Sequence, residues 1–197
     1  GIDISPTGQR AIITARGDVF TVPADKGPTR NLTDTQGQRE YPGLWSPDGK
    51  QVAWIVESLD GQTLVVADQY GDDANEYELG PDYYFLQAWH AETGRIVFTD
   101  NHIGLHAIDL DGGEIERIAT ETRREGFNVS FSPDGRFLAY TLEQPNYHAD
   151  LVVHDFESGE STVVSNGMAD VASPAFSPDG AYLFFAASTN SGPRQIG

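Results

Sequence analysis

Phe131-Ser132-Pro133-Asp134-Gly135 decides how this sequence folds, because the chain repeats it. Trp45-Ser46-Pro47-Asp48-Gly49 and Phe176-Ser177-Pro178-Asp179-Gly180 are copies. Ile4-Ser5-Pro6-Thr7-Gly8 is a near copy, and Trp89-His90-Ala91-Glu92-Thr93 is an eroded one. The apolar markers fall at 4, 45, 89, 131 and 176, so successive copies lie 41, 44, 42 and 45 residues apart. A period of that length marks a propeller blade or another repeat array. Each residue of the pentapeptide has a physical task. Serine bonds the backbone ahead of the turn and proline presets φ at the first central position. Aspartate tolerates the next, and glycine supplies the positive φ that closes the hairpin. The aromatic residue ends the incoming strand, where it fills the wedge between neighbouring sheets.

After each turn comes an apolar second strand: Ala11-Ile12-Ile13, Val52-Ala53-Trp54-Ile55-Val56, Ile96-Val97-Phe98, Leu138-Ala139-Tyr140 and Leu183-Phe184-Phe185. Near-continuous runs rich in β-branched and aromatic residues suit strands covered on both faces. Third strands follow at Val19-Phe20-Thr21-Val22, Leu64-Val65-Val66, Leu105-His106-Ala107-Ile108 and Leu151-Val152-Val153-His154. The fourth strands are half polar, as in Glu76-Tyr77-Glu78-Leu79, which fits an outer rim. Acids in the third-to-fourth connections, such as Asp109 and Asp155, blunt that edge against pairing. No capped helical period competes, and eleven Pro with twenty-one Gly punctuate the chain. The fold expected is all-β, a β-propeller of four-stranded antiparallel blades. About four and a half blades are expected here, at 1–33, 41–79, 84–119 and 126–165, with an incomplete fifth over 171–197. They read as part of a six- or seven-bladed ring finished by chain beyond Gly197; a five-bladed closure with a depleted last blade is the alternative. An arc so ended exposes apolar surface near Ile12, Val19 and Phe20 and the edge of Leu183-Phe184-Phe185, from which a homo-oligomer is expected.

The 197 residues suffice for an ample core. Thirty acids against twelve bases give a net charge of −18, which argues against a nucleic-acid or anionic-membrane partner. Only Lys26 and Lys50 are lysines, a pattern of salt-adapted or simply acidic proteins. No apolar run approaches the ~20 residues that span a bilayer, and no signal peptide is visible in these residues, which begin within a repeat; one removed or never included stays open. Cysteine is absent, which removes disulfides, thiolate metal sites and a cysteine nucleophile, and fits oxidising and reducing compartments equally.

The aromatic-Ser-Pro-Asp-Gly repeat resembles the TolB-type propeller repeat. Two longer stretches narrow the resemblance. One runs from Ile4-Ser5-Pro6-Thr7-Gly8-Gln9-Arg10 through Ala15-Arg16-Gly17-Asp18-Val19-Phe20-Thr21-Val22-Pro23-Ala24 to Gly27-Pro28-Thr29-Arg30-Asn31-Leu32-Thr33. The other joins Ser173-Pro174-Ala175-Phe176-Ser177-Pro178-Asp179-Gly180 to Tyr182-Leu183-Phe184-Phe185-Ala186-Ala187-Ser188-Thr189-Asn190. Both are similar to the second propeller of tricorn-type serine peptidases; residues 57–125 depart from the pattern. The resemblance implies a substrate antechamber, a PDZ domain and a peptidase core elsewhere in a parent polypeptide, and no peptidase residue within this chain.

The residues themselves offer little chemistry. Arg16-Gly17-Asp18 spells an adhesion tripeptide but sits where a hairpin needs Gly-Asp as its two turn residues. Of the histidines 90, 102, 106, 148 and 154, His102 and His106 have helical zinc spacing, yet on a strand they stand ~13 Å apart, too far for one ion. No Gly-x-Ser-x-Gly elbow occurs, so no catalytic residue, metal or cofactor is assigned. Arg123 and Arg124, in the loop entering the fourth blade beside Glu121 and Glu125, form the one basic cluster. They are a solvated pair or an anchor for a peptide carboxylate. Three functions are consistent with these residues: a non-catalytic propeller of a tricorn-like peptidase that handles peptides or protein segments, a TolB-like protein-interaction scaffold, or a propeller hydrolase with an unrecognised site.

Overall fold

The computed structural model describes residues 1–33, 37–121, 126–145, 148–165, 167 and 169–188. Every regular element among them is a β-strand. The first sheet orders β1 (Ile2–Ile4), β2 (Arg10–Ala15), β3 (Asp18–Pro23) and β4 (Arg30–Asn31) in sequence. The second has its first strand broken into β5 (Arg39–Glu40) and β6 (Leu44–Trp45), both paired with β7 (Gln51–Ser58), then β8 (Gly61–Asp68) and β9 (Asn75–Gly80). Pro42 lies in the break, where its missing N–H and locked φ interrupt the ladder. The third holds β10 (Tyr84–His90), β11 (Arg95–Asp100), β12 (Gly104–Asp109) and β13 (Ile115–Thr120). The fourth holds β14 (Val129–Phe131), β15 (Phe137–Glu143), β16 (Ala149–Asp155) and β17 (Glu160–Val163). β18 (Asp170–Phe176) and β19 (Leu183–Ser188) pair as a fifth, two-stranded sheet. The chain divides into two compact units, one of Gly1–His102 with His106–Glu116, the other of Ile103–Leu105 with Arg117–Gly197.

The repeated pentapeptide is a hydrogen-bonded knot. The Ser46 hydroxyl donates to Asp48 Oδ1 at 2.7 Å and accepts the Gln51 N–H at 2.9 Å, while the Gly49 N–H bonds Ser46 O at 2.8 Å. Ser132 repeats this with Asp134, Phe137 and Gly135, and Ser177 with Asp179, Tyr182 and Gly180. Ser5 accepts the Arg10 N–H at 3.1 Å, with Thr7 in the aspartate position. The glycines carry φ of 68° to 73°, the left-handed region a side chain disfavours. The eroded copy keeps the span but moves the glycine: Gly94, not Thr93, has positive φ, and His90 Nδ1 lies 3.0 Å from Thr93 Oγ1 in place of the serine bridge. A second recurrent device follows the third strands. Asp68, Asp109 and Asp155 each accept the N–H two residues ahead, so these acids cap turns as well as charging an edge.

In the first unit the core lies between successive sheets. Ile12, Val19, Trp45, Val52, Trp54 and Val65 form one cluster. Ile55, Leu64, Tyr84, Trp89, Ile96 and Phe98 belong to the next. Trp45 and Trp89 are buried, as the marker position requires. In the second unit Phe176 packs against the cluster of Ala139, Leu151 and Val171 but stays half-buried, as does Phe131, which stacks on Phe156. An inner-strand bond ties neighbours together. The Trp45 N–H donates to Asp3 Oδ2 at 2.8 Å, and the Phe176 N–H to Ser130 Oγ at 3.4 Å from the equivalent place.

The expected exposure of the first sheet is half corrected. Ile12 and Val19 are fully buried, because they face the second sheet. The register Ile2↔Ile13↔Phe20 and Ile4↔Ala11↔Val22 puts those six on the opposite face, where Ile2 and Ile4 are exposed. Phe184 and Phe185 on β19 are exposed as expected.

Trp45→Ala should therefore cost about 3–5 kcal/mol of unfolding free energy and half-buried Phe176→Ala less, read from denaturant melts. The knots add an acid dependence. Serine hydroxyls hold the Asp134 and Asp179 carboxyls below the ordinary aspartate value of 3.8. At Asp48, burial pushes upward, but the bonds from Ser46 and Lys50 outweigh it and lower the pKa. Their contribution is complete above that ordinary value and lost as pH falls through the lower folded-state values. Melting temperatures from about pH 6 to about pH 2.5 should show the advantage of the native chain over the triple variant Asp48→Asn/Asp134→Asn/Asp179→Asn shrinking with acid. A constant gap would remove the carboxylates from the knot's energetics.

Candidate functional site

In the first unit a cleft opens where the second sheet's central hairpin ends. β7 and β8 pair without interruption from Gln51↔Asp68 to Ser58↔Gly61, leaving Leu59-Asp60 as the tip. Gly61 has φ 140°, and a Cβ there would lie 2.5 Å from Gly80 O. Glycine therefore lets the end of β9 press against the hairpin. The β8–β9 register slips beside it, from Gln62↔Gly80 to Thr63↔Glu78, a bulge of the kind that re-aims a side chain. The Gln62 side chain is buried, and its Oε1 accepts the Tyr84 N–H at 2.8 Å. Tyr84 Oη in turn donates to Leu79 O at 2.9 Å. Residues 57–62 and 81–83 line the resulting cleft of about 300 Å³.

Its charged side chains are Glu57, Asp60 and Asp82. The Tyr41 hydroxyl donates to Glu57 Oε2 at 2.6 Å, and burial, with that carboxylate second, holds the phenol above its ordinary pKa. The Arg39 guanidinium sits 5.2 Å over the Tyr41 ring. His102 Nε2 lies 3.1 Å from Asp82 Oδ1. Asp60 is exposed at the tip. A second groove of about 250 Å³ runs between Leu32 and Trp54, Val56 and Val65, with Glu40 and Glu76 among its walls. Both concavities are acidic.

The residues singled out from sequence scatter. Arg123 and Arg124 lie outside the described residues. The Arg16-Gly17-Asp18 tripeptide is a hairpin, as expected, but the turn pair is Arg16-Gly17, with φ of 60° and 93°, and Asp18 already opens β3. His102 falls in the turn before β12, not on the strand. His106 is buried against Asp100 at 2.8 Å and stacks on Phe98, and His154 bonds Ser161 at 3.0 Å. No group of three potential metal ligands occurs among the described residues. The hydroxyls of Ser46, Ser132 and Ser177 are committed to their turns, which leaves them poorly placed as nucleophiles. Gln62 and the Gly61–Gly80 approach drew no attention in the sequence. The Gly80-Pro81 pair marking the end of β9 was the available signal.

Comparison with known proteins places this geometry. A family model described as the tricorn protease second beta propeller domain matches residues 1–193. The crystal structure of the tricorn protease superposes with a TM-score of 0.74 at 18% identity, over 95% of this chain and 20% of that one. A putative TolB from Agrobacterium tumefaciens gives 0.65 at 17% identity, over 95% and 69%. Tricorn protease homolog 1 of Streptomyces coelicolor is 26% identical over 95% of this chain and 18% of its own length. The uncharacterized peptidase YuxL of Bacillus subtilis is 27% identical over 73% and 21%. The chain thus spans about a fifth of the curated relatives it matches. The structural likenesses establish the β-propeller fold, and the match over residues 1–193 settles the lineage: the chain belongs to the tricorn protease second beta propeller domain family.

Proposed function

We propose that this propeller is the non-catalytic, peptide-handling part of a tricorn-like peptidase, a gate or antechamber through which unfolded segments pass to a peptidase core elsewhere in a longer polypeptide. The observation that carries it is the family match across residues 1–193, with a chain spanning about a fifth of its peptidase relatives. The structure adds support from its chemistry. The repeated serines are held in turns, and the concavities of the first unit present carboxylates, backbone edges and apolar side chains of the kind that contact peptides. Further blades of the longer polypeptide would cover the exposed face with Ile2 and Ile4 and the exposed residues of β19.

The test compares the parent polypeptide with a variant lacking residues 1–197. Slower cleavage of long unfolded peptides with short fluorogenic ones unaffected is the expected result. Equal loss for both would reduce the domain to scaffolding, and turnover by the isolated chain, abolished by one serine substitution, would make it a hydrolase. The isolated chain should also self-associate in sedimentation, and Ile4→Ser/Phe184→Ser should weaken that association. A compact monomer at high concentration would mean that these faces need no cover.

A further inference from the structure

We propose that Asp111-Gly112, in the turn between β12 and β13, is a site of spontaneous aspartate isomerisation, and that the isoaspartyl linkage formed there is a substrate for an S-adenosylmethionine-dependent isoaspartyl methyltransferase. The assignment does not depend on the peptide-handling role. The chain holds five Asp-Gly steps, at 48–49, 60–61, 111–112, 134–135 and 179–180. A glycine after aspartate leaves the main-chain nitrogen open to the side-chain carboxyl, because no Cβ stands in the way. In the reaction the Gly112 nitrogen attacks Asp111 Cγ and forms a new N–C bond. The nitrogen's proton and the carboxyl's hydroxyl leave together as water, which gives a cyclic imide. Water then reopens the ring. Opening at Cγ restores aspartate, whereas opening at the main-chain carbonyl routes the backbone through the side chain and frees an α-carboxylate. Water lost in the first step returns in the second, and no oxidant or cofactor takes part.

The first step needs a nitrogen free of hydrogen bonding and a carboxyl free to swing onto it. The three repeat knots deny both. The Gly49, Gly135 and Gly180 N–H groups donate to Ser46 O, Ser132 O and Ser177 O at 2.8 to 2.9 Å. Each knot carboxylate is pinned by its serine hydroxyl and by the N–H two residues on. At Asp134 and Asp179 the serine bond above all holds the carboxyl below its ordinary value, which depletes the neutral acid that reacts. Asp60-Gly61 is hindered differently. Asp60 is exposed, but Gly61 sits in the ladder opposite Ser58, accepts the Ser58 hydroxyl at 3.2 Å and is wedged against Gly80. Asp111-Gly112 meets both conditions. Both residues are exposed, and a Cβ built on Gly112 would meet only Glu114 Cγ, at 3.7 Å. Among the described residues the Gly112 N–H donates no hydrogen bond and the Asp111 carboxylate accepts none. The Asp111 N–H is anchored on Asp109 Oδ1 at 3.0 Å, so the main chain is held while the carboxyl is not. The turn also matters to its surroundings. Tyr77 Oη donates to Leu110 O at 2.8 Å, the Gly113 N–H to Asp109 O at 2.7 Å and the Asp109 N–H to Glu114 O at 3.0 Å. Isomerisation adds a main-chain carbon inside the loop that these bonds close, which loosens the brace between the second and third sheets.

Site-resolved peptide mapping of the full chain tests this. The protein is aged for weeks in mildly acidic buffer at physiological temperature, native and in urea. Digests are then read by electron-transfer fragmentation, which tells isoaspartate from aspartate at each position. In the native chain isoaspartate at 111 should accumulate about tenfold faster than at 48, 134 or 179, the rate factor of one hydrogen bond that must first break. Position 60 should fall between. In urea, where the turns are gone, the five positions should agree within about threefold. An isoaspartyl methyltransferase given labelled S-adenosylmethionine should mark the native digest chiefly at the peptide that contains residue 111. Ser132→Ala unpins the Asp134 carboxyl and should raise isoaspartate at 134 by about fivefold while leaving 111 unchanged. Gly112→Ala, which has room for its Cβ, should slow 111 alone. Equal native rates at 111 and at the knots, or a native ranking that persists in urea, would overturn the assignment. So would an unaltered 111 in samples whose urea twin has isomerised.

Discussion

The serine hydroxyl that donates to an aspartate and accepts the backbone N–H five residues on is the bond the rest of this structure depends on. At Ser46, Ser132 and Ser177 it spans the same number of residues, and Ser5 keeps the span; His90 instead bonds Thr93, three residues on, though the strand register Trp89↔Ile96 is the same. Fixing the span fixes the register between the first and second strands. In a β-sheet a one-residue slip sends every side chain to the other face. The knot therefore decides that Trp45 turns toward Ile12 and Val19 and that Trp89 meets Ile55 and Leu64. A contact of two small polar side chains orders a core of large apolar ones.

This explains why so much of the fold was legible in the sequence. Ser-Pro-Asp-Gly prescribes its own geometry locally, and the apolar run after it has only strand pairing open to it. The misses share a cause, which is that they depend on atoms far away in sequence. A near-continuous apolar run such as Ala11-Ile12-Ile13 does not say which member faces a neighbour, and only the pairing with Ile2 and Phe20 sorted Ile12 inward from Ile13. The shift of the turn glycine to Gly94 was hidden because histidine took over the serine's place. The cleft was invisible for the same reason. Gln62 reads as an ordinary polar strand residue until a bulge opposite Gly80 turns it toward Tyr84, 22 positions on.

The chain's thirty acids and twelve bases leave it a net charge of −18, and the family ties the fold to peptidases. The acids are not uniform in purpose. Asp48, Asp134 and Asp179 hold knots; Asp68, Asp109 and Asp155 cap turns; Asp3 braces the neighbouring sheet.

The two ends of each sheet therefore live under different rules. At the knotted end, length is legislated, since a residue added between Ser46 and Gln51 disturbs the three bonds that join them. At the other end the hairpins run from two residues at 16–17 and 59–60 to three at 101–103, with no shared bond among the described residues enforcing a size. Variation accumulates where it is cheap. A lineage carrying this domain is free to retune that end, lengthening one hairpin or exchanging the tip at Leu59-Asp60, without disturbing the frame, much as a lock maker recuts the wards and leaves the case alone.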